Sequence, residues 1–118
     1  MSAPDWIVIC LCAEWCGVCR QWSGIFDALR EERPGLRFAW IDVEDEDDAM
    51  GDVDIETFPT LLVAHAGRAR FFGPVQPSAT QVSRLLDGLL AQGPAAREAT
   101  PEATALLHRL EPLLLRKS

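Results

Sequence analysis

The chain has 118 residues, 48% of them apolar and 25% charged, with a formal net charge of −7. That suits one soluble globular domain with a real core. The acidic balance argues against nonspecific nucleic-acid binding and against docking on an anionic membrane surface. No apolar run is long enough to span a membrane. Met1 to Asp5 hold no Lys or Arg, and the apolar run after them ends at a cysteine motif, so no secretory signal is read and a cytoplasmic location is expected. Four cysteines in that compartment point to redox or metal chemistry before structural disulfides.

Trp6 to Ala13 is a continuous apolar run bounded by Asp5 and Glu14. Its length and its Val and Ile content predict a central strand covered on both faces. After Cys16 the period changes: Cys19, Trp22, Ile25, Phe26 and Leu29 recur at three- and four-residue spacing. A helix is therefore expected from Gly17 to Glu32 or Arg33, where Pro34-Gly35 stops it. Cys16 would lie at the helix mouth, where free N–H groups and the helix dipole favour the thiolate, the reactive form of cysteine. Cys19 would lie one turn inside. Two cysteines at this spacing can close and reopen a small disulfide ring, which fits thiol–disulfide exchange. Half of a zinc site, or two core cysteines, are the alternatives for a bare Cys-x-x-Cys, and the strand before it and helix after it weigh towards redox chemistry.

Leu36 to Val43 reads as a second strand, parallel to the first because a helix connects them. Glu44 to Asp48 are five consecutive acids, read as a solvated loop, since they lack the alternating ligands and central glycine of a calcium loop. A short helix follows over Asp47 to Gly51, and Asp52 to Thr57 leads on to Pro59. Thr60 to His65 and Arg68 to Phe72 are expected to pair as a hairpin through Ala66-Gly67, with Gly73-Pro74 closing it. Ser78 is an expected N-cap for a helix over Ala79 to Ala91 with Val82, Leu85, Leu86, Leu89 and Leu90 on its apolar face. Gly88 inside that helix suggests close packing. Ala95 to Ala99 reads as a linker, and Thr100-Pro101-Glu102 as a cap with proline at the first helical position. A final helix, with Leu106, Leu107 and Leu110 on one stripe, is expected to end near Glu111 at Pro112.

Ala13-Glu14-Trp15-Cys16-Gly17-Val18-Cys19-Arg20 resembles the active-site segment of the thioredoxin family, and Phe58-Pro59-Thr60-Leu61-Leu62 resembles that family's cis-proline loop and following strand. The resemblance covers about Trp6 to Leu90. It implies a thioredoxin-like α/β fold, a four-stranded mixed sheet flanked by helices, with a C-terminal helical extension. Residues 1–93 would form the thioredoxin-like domain, and 94–118 a linker and a helix packed on it. The resemblance assigns Cys16 as nucleophile, Cys19 as resolving thiol and Pro59 as the cis-proline. Trp15, Gly17, Val18, Phe58, Pro59 and Gly73 would frame a groove in which the substrate backbone pairs beside Phe58.

Three departures stand out. Thioredoxins carry a strand and a helix before the active-site strand, and only five residues precede it here, so the Leu36 strand should lie at the sheet edge and the Pro101 helix is expected to cover the face left bare. A weak homodimer through that edge is the competing answer to a monomer. The family's buried Asp and its neighbouring Lys are replaced by Cys10 and Trp40, which avoids an unpaired buried charge but removes a proton relay. Val18 replaces a proline, and a mildly reducing or intermediate dithiol is expected. Cys10 and Cys12 share a strand face and are read as small core residues; a four-thiolate zinc cluster is disfavoured because a buried strand cannot wrap a metal. Trp22 and Trp40 are expected in the core, and His65 and His108 as surface histidines.

The expected activity is reduction or exchange of protein disulfides, with no metal and no cofactor beyond a redox-active Cys16–Cys19 disulfide. Electrons would come from a thioredoxin-reductase-like protein or from small thiols. A non-catalytic adaptor or redox sensor, whose dithiol gates partner binding, is the alternative.

Overall fold

The computed structural model describes residues 6–13, 16–51, 53, 55–92 and 97–117, with side chains as far as Leu114. The elements run β1 (Trp6–Cys12), α1 (Gly17–Glu32), β2 (Arg37–Asp42), α2 (Asp47–Met50), β3 (Thr60–His65), β4 (Arg68–Pro74), α3 (Ala79–Gln92) and α4 (Pro101–Lys117). One sheet has the order β2-β1-β3-β4. β1 pairs parallel with β2 and antiparallel with β3, and β3 pairs antiparallel with β4.

Every residue of β1 is buried, because both faces of the sheet are covered. Side chains alternate across a strand, and the two sets enter two cores. Trp6, Val8, Cys10 and Cys12 point to one side, where they meet Cys19, Trp22, Phe26 and Leu29 of α1 and Val82 and Leu86 of α3. Ile7, Ile9 and Leu11 point to the other, against Met50 of α2 and Ala103, Leu106, Leu107 and Leu110 of α4. α1 and α3 are tied at one end by Arg33, which donates to Asp87 at 2.8 Å and to the Ser83 hydroxyl at 3.0 Å.

The starts of α3 and α4 follow their side-chain caps. Ser78 Oγ accepts from the N–H of Gln81 at 3.3 Å, and Thr100 Oγ1 from the N–H of Ala103 at 3.0 Å. The segment ahead of α4, read as a linker, binds the β4 edge: the Ala99 N–H donates to Ala69 O at 2.8 Å, and Ala69 donates its own N–H to Thr104 Oγ1 at 3.0 Å. This covers part of an edge that would otherwise present free backbone groups. Arg109 of α4 caps the short α2, donating from Nε to Ala49 O at 2.7 Å and from Nη2 to Met50 O at 3.2 Å. Its guanidinium lies 3.3 Å from where a Cβ on Gly51 would stand, a tight contact, and the φ of 62° at Gly51 is what calls for glycine there.

Several details differ from the sequence reading. α4 does not stop at Pro112 but continues to Lys117 with the proline inside it. A proline in a helix interior costs about 3 kcal/mol or more through a lost hydrogen bond and a clash. The residues after it offset that cost: Leu113 and Leu114 are buried in the core beneath the sheet, each contributing about 1.5–3 kcal/mol. β4 includes Gly73 and Pro74. His65 is half-buried and stacks on Trp6 with ring centroids 4.5 Å apart, so it is not a free surface histidine. Trp22 is fully buried, whereas Trp40 is only half-buried and meets Phe26 edge-on.

Gly88 also departs from expectation. It is exposed, and a Cβ built on it meets nothing within 4 Å. Gly88→Ala is expected to raise stability by about 0.5–1 kcal/mol, because alanine loses less backbone entropy on folding. Urea unfolding checks this, and a destabilised variant would mean that α3 is not a regular helix at that point.

Candidate active site

The site forms where β1 runs into α1. Cys16 caps α1 with extended backbone (φ −82°, ψ 120°). Its N–H donates to Ala13 O at 3.1 Å and its carbonyl accepts from the N–H of Arg20 at 3.2 Å. Its side chain is half-buried and its thiol is free. Cys19, one turn on, is 1% exposed and faces the sheet. Gly17 and Val18 between them are exposed, Val18 at 42%. Glu14 and Trp15 lie outside the described residues, so the expected role of Trp15 has no structural counterpart here.

The pairing of Cys19 differs from expectation. Cys19 is bonded not to Cys16 but to Cys12, the last residue of β1, with the two Cα atoms 6.0 Å apart. The reason is positional. Cys12 points to the α1 side of the sheet, directly under the first helical turn, where Cys19 points down to meet it. Cys12 is therefore not merely a small core residue. Its i, i+7 spacing to Cys19, across a strand-to-helix turn, was the sequence signal that could have found it.

Cys10 adds a third sulfur to this file. Its Sγ lies 3.9 Å from that of Cys12, to which its S–H donates, and it accepts the indole N–H of Trp22 at 3.3 Å. Cys10 is the register partner of Trp40 on β2, so the two positions that replace the family's Asp and Lys are neighbours. Burial pushes the Cys10 thiol up from 9.0 to about 12, with the Trp22 hydrogen bond offsetting only part of the shift. At neutral pH it is a protonated donor.

This has a consequence for stability. A thiol whose pKa is raised in the folded state holds its proton more tightly there than in the unfolded chain. Its contribution is fully present below pH 9 and is lost as the pH rises towards 12. The limiting slope is about 1.4 kcal/mol per pH unit. The chain has no tyrosine and a single lysine, Lys117, so few other groups obscure the effect. In a Cys16→Ser background, which suppresses exchange, urea unfolding should show stability falling across this range, and Cys10→Ala should flatten the slope. Equal slopes with and without Cys10 would mean that the thiol is not shielded.

Opposite Cys16, the Phe58–Pro59 peptide bond is cis. Pro59 is buried and its carbonyl accepts from the N–H of Val75 at 3.0 Å, while Thr60 Oγ1 donates to Thr57 O at 2.6 Å. These bonds anchor the loop at the start of β3 and to the residue that follows the end of β4. Cys16 and Phe58 line one cleft of about 530 Å³ together with Val43, Glu44, Asp47 and Glu56. Gly73 lines a separate depression, which shares Ile55, Glu56 and Thr57 with the first. The structure thus brings Cys16 to Phe58, but sets Gly73 on the far side of the 55–57 segment. A Cβ on Gly73 would meet Phe71 at an ordinary 3.6 Å.

The acids of the cleft were not foreseen. The loop after β2 is turned by Asp42, whose Oδ1 accepts the N–H groups of Glu44 at 2.9 Å and Asp45 at 3.3 Å. That turn sets Glu44 and Asp47 on the wall beside Cys16. Their charge was legible in the sequence; their place beside the cysteine depended on β2 lying next to β1.

Residues 2–83 match the family model Thioredoxin. The chain belongs to the thioredoxin family. A provisionally named thioredoxin 2 of Streptomyces coelicolor is 30% identical over 83 residues, which cover 70% of this chain and 60% of that protein. A thioredoxin from Ophiophagus hannah is 35% identical over 55 residues, 47% of this chain and 52% of that one. The chain thus matches little more than half the length of each. Among solved structures, mitochondrial thioredoxin 3 of Saccharomyces cerevisiae in its oxidised form superimposes with a TM-score of 0.64 at 23% identity, covering 75% of this chain and 82% of that one. Fasciola hepatica thioredoxin gives 0.65 at 24% identity, covering 74% and 83%. At such identities these structures establish the thioredoxin fold. α4 lies beyond the part matched by the family model. No described helix is long and apolar enough to cross a membrane.

Proposed function

We propose that this protein is a thiol–disulfide oxidoreductase that reduces or exchanges protein disulfides. The observation that carries this reading is the free, half-buried Cys16 thiol at the head of α1, opening on a cleft shared with Phe58 beside the cis Pro59. The Cys16 thiolate attacks one sulfur of a substrate disulfide. A Cys16–substrate bond forms, and the other substrate sulfur leaves as a thiolate. Cys19 in its reduced form then attacks Cys16, releasing the second substrate thiol and leaving a Cys16–Cys19 disulfide. A reductase or a small thiol returns two electrons to that disulfide.

Gly17, Val18, Phe58 and Pro59, with Trp15, form the substrate surface in this proposal, and Gly73 extends it only through the neighbouring depression across residues 55–57. Phe58 and the backbone before Pro59 hold an extended segment of the substrate. Glu44, Asp47 and Glu56 make the cleft wall acidic, which favours basic substrate segments at low ionic strength. The protein works in the cytoplasm in this reading, as a monomer or a weak homodimer through β2, which has a free edge among the described residues.

The test is insulin reduction with dithiothreitol or a thioredoxin reductase as donor, together with the dithiol potential measured against glutathione. Turnover with a potential below the cytosolic glutathione poise fits a reductant. Absence of turnover despite a reversible disulfide would overturn the enzyme reading in favour of a redox-gated adaptor.

A further inference from the structure

We propose that Cys12 is a third redox-active cysteine of this site, and that Cys19 exchanges its single disulfide between Cys12 and Cys16. Three observations meet here. Cys19 is bonded to Cys12, while Cys16 is free at the mouth of the same helix. Cys16 and Cys19 stand three residues apart across the first turn of α1, a spacing that places side chains on neighbouring positions. Cys12 and Cys19 are buried at 0% and 1% exposure, whereas Cys16 opens on the cleft. Cys19 is thus the shared member of two possible pairs, one facing solvent and one beneath the helix.

The exchange balances without an outside oxidant. The Cys16 thiolate attacks Cys19 Sγ. The Cys16–Cys19 bond forms, the Cys12–Cys19 bond breaks, and its electron pair goes to Cys12 Sγ. Cys12 takes up one proton, matching the one Cys16 gave up on becoming a thiolate, so nothing is oxidised or reduced overall. Cys10 is a positioning residue for this step. Its S–H already donates to Cys12 Sγ, and the Trp22 indole in turn donates to Cys10. The departing sulfur therefore has a donor waiting in a site closed to water. Because Cys10 stays protonated at neutral pH, it does not itself compete as a nucleophile for the disulfide.

The reverse direction rests on the proposed function, since substrate turnover supplies the Cys16–Cys19 disulfide. Exchange then moves that disulfide inward to Cys12 and returns Cys16 to the free thiol. The oxidised protein becomes a monothiol at its surface. A new substrate attacked by Cys16 stays covalently bound, because Cys19 is engaged below.

Disulfide mapping of the full-length protein tests this without any variant. Cleavage after Glu14 separates Cys10 and Cys12 from Cys16 and Cys19. The protein is oxidised with diamide, alkylated natively with iodoacetamide at successive times, and digested unreduced. A Cys12–Cys19 linkage joins the two peptides and leaves Cys16 alkylated; a Cys16–Cys19 linkage leaves them separate and Cys16 unlabelled. The expected result is both linkages, in a proportion that settles to one value whatever the oxidation time. Cys12→Ala should abolish Cys16 labelling in the oxidised protein, and Cys10→Ala should slow the approach to the final proportion. A single fixed linkage of either kind overturns the proposal. If only Cys16–Cys19 forms and insulin is still reduced, the exchange fails and the oxidoreductase reading stands. If both linkages interconvert and insulin is never reduced, the exchange stands without that reading.

Discussion

Cys16→Ser is expected to abolish insulin reduction while leaving the protein folded. Serine preserves the size and place of the helix-capping residue but replaces the thiol with a hydroxyl, a far weaker nucleophile towards sulfur, and only a thiolate attacks a disulfide. The fold should survive because Cys16 is half-buried, makes its helix-start contacts through its backbone, and leaves the Cys12–Cys19 disulfide intact. Cys19→Ser separates the two roles. With Cys16 present and the resolving thiol gone, the protein should accumulate a mixed disulfide with its substrate, visible as a mass increase that dithiothreitol reverses. Far-UV circular dichroism of both variants reports the fold. Turnover persisting in Cys16→Ser would show that another sulfur is the nucleophile and would remove the main support for the mechanism.

Leu106→Ala is expected to cost about 2–5 kcal/mol, the range for deleting a buried leucine and leaving part of a cavity. Leu106 is fully buried and belongs to the cluster built from Ile7, Ile9 and Leu11 of the central strand. α4 is thus part of the core that holds β1 in place, and β1 in turn carries Cys10 and Cys12. Of a total stability of about 5–15 kcal/mol for a domain of this kind, such a loss is a large fraction. Glu111→Ala, at an exposed position on the same helix, is the control and should change stability by no more than about 0.5 kcal/mol. Urea unfolding of both variants gives the comparison. A cost below about 1 kcal/mol for Leu106→Ala would mean that α4 does not bear on the sheet in solution.

Periodicity and punctuation determined much of this molecule before any coordinates. The apolar run Trp6 to Ala13 could satisfy its side chains only between two covered faces, and the shift to a helical period after Cys16 placed α1. Ala66-Gly67 marked the hairpin, where the backbone has positive φ at both residues, 55° and 79°. Ser78 and Thr100 marked helix starts because their hydroxyls can satisfy free N–H groups. These are local signals, carried by neighbours in the chain. The family followed from two such motifs in the right order.

The tertiary structure decided what depends on residues far apart in sequence. Pro112 marks a helix end by local rules, yet α4 runs through it because Leu113 and Leu114 have a core to enter. Gly88 hinted at close packing and faces open space instead, since it lies off the face through which α3 buries Val82 and Leu86. The acids Glu44 and Asp47 came to the wall beside Cys16 only when β2 was laid against β1, and Glu56 only when β3 was laid on the other side of β1. The partner of Cys19 was decided in the same way. A spacing of three along a helix and a crossing over the end of a strand both bring sulfur within bonding reach, and chain order reveals only the first.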